Sequence, residues 1–475
     1  LEAFKEKVDS IYKVYPENND LAAICKFYQQ SKEDILASIS QDSLWEEIKK
    51  NLSKKYSTFS FRIDGDLKIV AEKKEILQLE YSEDDNKGNG FCLITGNKGI
   101  TVDTTTATMI PGSQATAKLV AFQVNSGYDS YGKSKCGNAP ISEEAEFAYT
   151  TALNSMLQKG SRNKFMLGTR TFVFWASNNN EASIETEESL FDLLGFSEEA
   201  NDDPNANLMK VRKVFESIYS GIMKTGLDDK FYILGLAPNS ARIAVVYWSE
   251  TTLKDFAEKI LRHFSDMEIH DTRKDKKPYM GIREIISSVT LGGKISDATP
   301  NLPEAVVKSI FQGLPYPQTL YSACVRRIRA EQKLTIARAA IIKAYLNRQI
   351  NNNKKIDIML DKDNNNQGYL CGRLFAVLDK IQEDANNISS IRERYMNAAS
   401  ATPSAVFATI LNLSVHHSEK LDEGRRIYFE KLKQEILDKV SADGFPTHLD
   451  LQDQGRFFVG YYHQRQDFFT SKKEQ

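Results

Sequence analysis

Metal and disulfide chemistry have little to work with in this chain. Its five cysteines, Cys25, Cys92, Cys136, Cys324 and Cys371, lie far apart and form no C-x-x-C pair. Neither a zinc site nor a disulfide framework is indicated, and thiols so spaced fit a reducing cytoplasm. The six histidines, His263, His270, His416, His417, His448 and His463, show no H-x-x-x-H or H-E-x-x-H spacing, so no metal site follows. No G-x-S-x-G elbow marks a nucleophile. No apolar run reaches membrane-spanning length, and no signal peptide is visible. The net charge of −2 gives no global signal for nucleic acid, so only a local patch could carry one. These absences predict no enzyme, no cofactor, no metal and no membrane.

What is present is enough for sizeable cores: 475 residues, 41% of them hydrophobic, which predicts two or three domains. The chain opens at Leu1 inside a helical pattern, and further residues are expected upstream. Residues 1–50 read as short helices, the remainder of a longer N-terminal region. Residues 51–250 carry paired strand signals: a hairpin turn at Asp64-Gly65, a strand at Phe91–Thr95, KFML and TFVFWA after residue 163, then FYILGLA and RIAVVYW around Pro238-Asn239-Ser240. Helices are expected at Lys73–Tyr81, Glu143–Lys159 and Leu208–Lys224, with a polar loop at Ser177–Ser183. From Thr251 the strand signals disappear. Residues 251–358 read as a helical region, and 359–475 as an antiparallel bundle. The expected fold class is α+β: a mixed N-terminal region with paired antiparallel strands, then a C-terminal helical bundle.

Gly112–Asn154 is the most informative stretch. A small-residue loop leads to an expected strand at Lys118–Asn125, then a long polar loop, Gly127–Ser142, and a helix capped by Ser142 with Glu143 and Glu144 in its first turn. Loops of that length are more often functional than filler. Its side chains include Tyr128, Tyr131, Lys133, Lys135 and Asn138, donors for phosphates and rings for bases. Within it, Gly127–Ser134 reads GYDSYGKS, a letter-for-letter P-loop match. That chemistry needs the Lys-Ser pair to open a helix. Lys135-Cys136-Gly137-Asn138-Ala139-Pro140 follows instead, and Gly137 and Pro140 oppose a helix. A P-loop nucleotide-binding protein is therefore the alternative reading, resting on that one pattern.

The most basic segment is an expected single helix, Thr319–Ile350, with seven Lys and Arg against one acid, Glu331. At about 100° per residue, Arg326, Arg329, Lys333 and Arg348 share one arc, with Val325, Ile328, Ile336, Ile342, Leu346 and Ile350 mostly opposite. The face is either a solvated surface or a groove for a nucleic-acid backbone. The last helix ends unusually, in Gly460-Tyr461-Tyr462-His463-Gln464-Arg465-Gln466.

Longer motifs carry a resemblance. CLITG at 92–96, the Gly112–Asn154 stretch, TRTFVFWA at 169–176, LGLAPNSARIAVVYW at 234–248 and RHFSDMEI at 262–269 resemble the large subunit of the type I-C CRISPR Cascade. GLPYPQTLYSACVRRIRAE, GRLFAVLDKIQEDAN, YMNAASATPSAVF and GYYHQRQDFF continue the match in order, over about residues 90–475. The resemblance implies a non-catalytic subunit of an RNA-guided antiviral surveillance complex. Such a subunit sits at the crRNA 5′ end beside the handle-capping subunit, recognises the PAM in double-stranded DNA, and helps open the duplex. Its bundle lies along the displaced strand of the R-loop. Backbone subunits and small subunits complete the complex, and a helicase-nuclease is recruited to cut. Under this reading Gln114, Tyr131, Lys133 and Asn138 face nucleic acid or a neighbouring subunit, and Arg326, Arg329, Lys333 and Arg348 neutralise phosphates. One departure stands out: Ser134 and Lys135 occupy places where the family more often has an acid and a glutamine. The family's bundle is also often made a second time from an internal start, for which Met359 is the candidate here.

Overall fold

The computed structural model of the protein describes residues 2–52, 60–77, 79, 90–125, 127, 131–193, 206–273, 280–349, 355–388 and 390–470. The chain divides into two units, Leu1–Thr101 and Val102–Gln475.

In the first unit, four helices follow one another: α1 (Glu2–Val14), α2 (Asn19–Gln29), α3 (Lys32–Ser40) and α4 (Trp45–Leu52). Side chains of Asn18 and Ser31 cap α2 and α3 by accepting from Leu21 and Asp34 amides. A small core gathers Val8, Leu21, Ile24, Cys25 and Val70. The Asp64-Gly65 turn forms, with Gly65 at φ +88° and the Asp66 amide donating to the Ile63 carbonyl at 3.0 Å. Its described flanks are not strands. Lys73 anchors them instead, reaching Asp20 at 2.7 Å and Asp66 at 2.5 Å. Of the helix expected at Lys73–Tyr81, the described part is α5 (Lys74–Leu77). Two short strands, β1 (Gly90–Phe91) and β2 (Lys98–Gly99), pair antiparallel. The strand expected at Phe91–Thr95 therefore keeps only Phe91. Cys92–Gly96 is the turn itself, closed by the Gly96 amide on the Cys92 carbonyl at 2.9 Å.

The second unit begins with loops and α6 (Glu143–Met156), capped by Ser142 through the Ala145 amide at 3.3 Å. A four-stranded antiparallel sheet follows in the order of the chain: β3 (Lys164–Leu167), β4 (Arg170–Ala176), β5 (Lys230–Asn239) and β6 (Arg242–Thr252). Between β4 and β5 lie α7 (Glu181–Leu193) and α8 (Ala206–Ser220). The loop expected at Ser177–Ser183 thus ends early, and α7 was hidden by its many acids. One sheet face, with Phe172, Phe174, Phe231 and Ile233, joins a large core with α7 and α8 residues. The other packs Val173, Leu236 and Ile243 against Ile110, Ala117 and Leu153 of α6.

Helices make the rest. They are α9 (Leu253–Met267), α10 (Ile282–Ser288), α11 (Leu302–Phe311), α12 (Gln318–Glu331) and α13 (Ile336–Asn347), then the bundle α14 (Gln367–Asn386), α15 (Ser390–Ala399), α16 (Pro403–Ser418), α17 (Glu423–Leu437) and α18 (Leu451–Asp467). The fold is α+β, as expected. The apolar core runs without a gap across residues 250 and 358, so those positions mark changes of secondary structure while the packing continues.

The expected helix Thr319–Ile350 is a correction. It breaks at Gln332, which is left-handed at φ 44°, and restarts after Thr335, whose side chain accepts from the Arg338 amide at 3.3 Å. The second half is no amphipathic surface helix. Residues from Ala337 to Leu346 are all buried, and a helix buried all round must sit inside the core.

Candidate nucleic-acid interface

The Gly112–Asn154 stretch is built on the turn between β5 and β6. The Gln114 amide donates to the Ser240 carbonyl, and its side-chain amide to the Ser240 hydroxyl, both at 3.4 Å. The expected strand at Lys118–Asn125 reduces to a single parallel bridge, Lys118 to Arg242. Beyond it the chain leaves the sheet edge. Tyr128 lies outside the described residues. Tyr131 is fully exposed at φ +56°, followed by Gly132 at φ +72° and an exposed Lys133.

After Ser134 the chain makes one 3-10 turn, Lys135–Asn138. Asn138 is half-buried and donates to the Lys135 carbonyl at 3.0 Å, so its amide holds the turn. Lys135 pairs with Asp103. The P-loop pattern therefore lacks the α-helix whose first amides would face a phosphate. Tyr131 and Lys133 both stand exposed in this loop. Gln114 lies exposed at the hairpin turn, and Asn138 faces inward.

The basic segment divides by role. Arg326 and Lys333 are exposed. Glu331 holds Arg327 and, at 2.7 Å, Arg338. Arg338 beside it, more than any other cause, keeps the Glu331 carboxyl below the usual range. Arg329 is half-buried and donates to the Gln454 side chain at 2.8 Å, toward α18. Arg348 is buried, bound to Asp266 and to the Ser309 and Leu314 carbonyls. Lys343 is 3% exposed, and desolvation lowers its pKa. The single arc of four cations does not exist, because it assumed one continuous helix. Arg326 and Lys333 remain available to a phosphate, Arg329 in part, and Arg348 belongs to the core.

The family model of the CRISPR-associated protein Cas_Csd1 matches residues 1–469. The chain belongs to that family. No curated protein matches it. Membership in Cas_Csd1 makes this a CRISPR-associated protein, and the family implies a complex with other CRISPR-associated proteins and nucleic acid. Among the described residues of this Cas_Csd1 chain, no helix is long and apolar enough to cross a membrane, and no group of three or more His, Cys, Asp or Glu could hold a metal ion.

Sequence reasoning missed one feature. The Gln332 break brings Lys333 against the end of α18 and the start of α15, with Arg392, Arg465 and Phe469 around a common cleft. The odd composition of residues 460–466 was a signal for one wall. Nothing local marks Arg392.

Proposed function

We propose that the protein is the non-catalytic large subunit of a type I-C CRISPR Cascade surveillance complex. The observation that carries this reading is the family match over residues 1–469, which the motif resemblance narrows to the large subunit. In this reading guide pairing reads most of the target while protein reads the PAM and the backbone. The chain meets the crRNA 5′ end and the handle-capping subunit, recognises PAM-containing double-stranded DNA, and stabilises the displaced strand of the R-loop. Backbone and small subunits surround it, and a helicase-nuclease follows R-loop formation.

The exposed Tyr131 and Lys133 support the DNA contact, because an exposed ring and ammonium suit bases and phosphates. The 3-10 turn after Ser134 supports a role without nucleotide hydrolysis. Reconstitution of the crRNA complex with and without this chain tests the reading. Binding of target duplex should depend on the chain and on the PAM, and the purified chain should not turn over ATP. Equal PAM-dependent binding without the chain would overturn the assignment. ATP turnover lost in Lys133→Ala would restore the P-loop alternative.

A further inference from the structure

Two stretches that stand apart in the sequence meet at one cleft. Residues Glu331–Leu334, the break between α12 and α13, form one wall. The end of α18 and the turn after it, through Phe469, form a second, and Arg392 with Glu393 of α15 form the third. The cleft encloses about 610 Å³, inside the roughly 300–1,000 Å³ of small-ligand sites.

Its charges are unevenly engaged. Glu331 is held by Arg327 and Arg338, and Arg465 by Glu383 at 2.7 Å. Exposed Lys333 makes no ion pair with a carboxylate among the described residues, whereas half-buried Arg392 shares a hydrogen bond with the Tyr461 side chain and feels the charge of Asp379. The buried carboxyl of Asp379 lies behind this wall, where it accepts from the Tyr461 hydroxyl at 2.7 Å. Exposed Glu393 is the one acid of the lining that no described cation holds.

The aromatic lining is just as uneven. Tyr461 and Tyr462 turn their hydroxyls inward, onto Asp379 and the His270 carbonyl. Phe469 has no inward use of that kind. It is 60% exposed, with the Lys380 ammonium 5.6 Å from its ring centroid. An exposed ring beside the exposed Lys333 ammonium and the half-buried Arg392 guanidinium offers a stacking face and a phosphate site together, the two needs of an unpaired nucleotide. A paired base keeps both faces inside its stack, so a duplex could use only the cations. An acidic peptide could likewise use the cations and would leave the ring idle.

We infer that this cleft seats one unpaired nucleotide of a DNA single strand, its phosphate on Lys333 and Arg392 and its base against Phe469. The identity of the strand, the displaced strand of the R-loop, rests on the proposed function.

The test uses the full chain and a single-stranded oligonucleotide carrying 2-aminopurine, whose fluorescence falls on stacking. Phe469→Ala should weaken binding about tenfold and relieve the quench, because one base–aromatic stack is lost. It should leave the salt slope alone, and Phe469→Tyr should bind as the parent does. Lys333→Gln with Arg392→Gln should lower the slope by up to about 0.7 per phosphate contact on a single strand. Matching thermal melts would exclude a folding defect. Parental affinity in Phe469→Ala, or equal competition by poly-glutamate, would overturn the cleft while leaving the proposed function standing. Failure of both the unaltered chain and the assembled complex to bind single strands would instead sink the displaced-strand reading itself.

Discussion

Arg348 donates through Nε to a carboxylate oxygen of Asp266 at 2.5 Å, from a side chain only 1% exposed. Its Nη1 reaches the carbonyls of Ser309 and Leu314, both at 2.6 Å, and its guanidinium lies 4.2 Å from the Tyr316 ring centroid. One cation therefore ties the end of α13 to α9, α11 and the loop after α11. Arg348→Ala would strand Asp266 and remove the donor from two carbonyls. Breaking a buried pair costs about 3–5 kcal/mol, so the denaturation midpoint should fall clearly. The salt dependence of DNA binding per folded molecule should not change. Parental stability with a slope lower by about 0.9 would return Arg348 to the phosphate-contact group.

Close packing of α14 on α18 predicts a second sensitive position. A Cβ on Gly372 would collide with the Phe457 carbonyl oxygen, and one on Gly460 with the Tyr369 carbonyl oxygen. Backbone cannot rotate aside as a side chain can. Gly372→Ala should destabilise by at least the ~1–3 kcal/mol of ordinary overpacking. Gly424→Ala, where the added Cβ would meet only the Asp422 side chain at 3.4 Å, is the control and should melt no lower than the parent. Equal melting of both variants would count against this packing.

Much of this architecture was legible because its signals are local. The β-branched and aromatic runs TFVFWA and RIAVVYW mark β4 and β6, and Ser142 followed by Glu143 and Glu144 marks the start of α6. The break at Gln332 was also written locally, in Thr335 as a cap, but continuous helical periodicity on both sides masked it. The fate of Arg348 was not legible, since Asp266 lies 82 residues away. The same holds for the cleft: Lys333, Arg392 and Phe469 converge only through packing of distant helices. Charge patterning on a presumed helix says which cations share a face. It cannot say whether another helix covers that face.

The central loop offers a direct binding test. Lys133 is exposed next to Tyr131, while Lys135 is occupied by Asp103. Lys133→Ala should weaken target-DNA binding by the assembled complex and lower the salt slope by up to about 0.9. Lys135→Ala should change the loop more than the slope. A parental slope in Lys133→Ala would remove that residue from the interface.

Two buried histidines make stability sensitive to mild acid. His463 Nδ1 lies 2.9 Å from the Tyr369 hydroxyl, and His263 Nδ1 lies 2.8 Å from the Tyr316 hydroxyl. Burial pushes each pKa down to about 3, helped by the charge of Lys343 at His463 and of Arg348 at His263. Both folded values lie below the unfolded value of about 6.5. The unfolded chain therefore binds protons first as pH falls. The stabilisation is complete above about pH 6.5 and is lost from there toward pH 3, at up to about 1.4 kcal/mol per unit for each histidine. His463→Gln should flatten the decline of stability between pH 6.5 and 5. An unaltered decline would mean that His463 already carries a proton in the fold.

Met359 is 48% exposed, and the carbonyl of Ile358 before it accepts from the His270 amide at 2.9 Å. Its side chain therefore does not fill a gap in the core, the usual structural use of methionine. It stands ahead of α14, so translation from it would sever no helix and would keep α14–α18. Met396 is a poorer start, being buried within α15 and downstream of α14. A product of 117 residues, 359–475, is of a length that can bury a core. It would uncover the face of α18 on which Gly455 meets Tyr321 and Ile342, and that bare surface should favour assembly with other subunits over a free monomer. Expression of the native gene with a C-terminal tag should give a second, shorter band that vanishes in Met359→Leu. Since the side chain is exposed, the same substitution should shift the stability of the full chain by no more than about 0.5 kcal/mol. A full-length product alone, in every preparation, would reject the internal start.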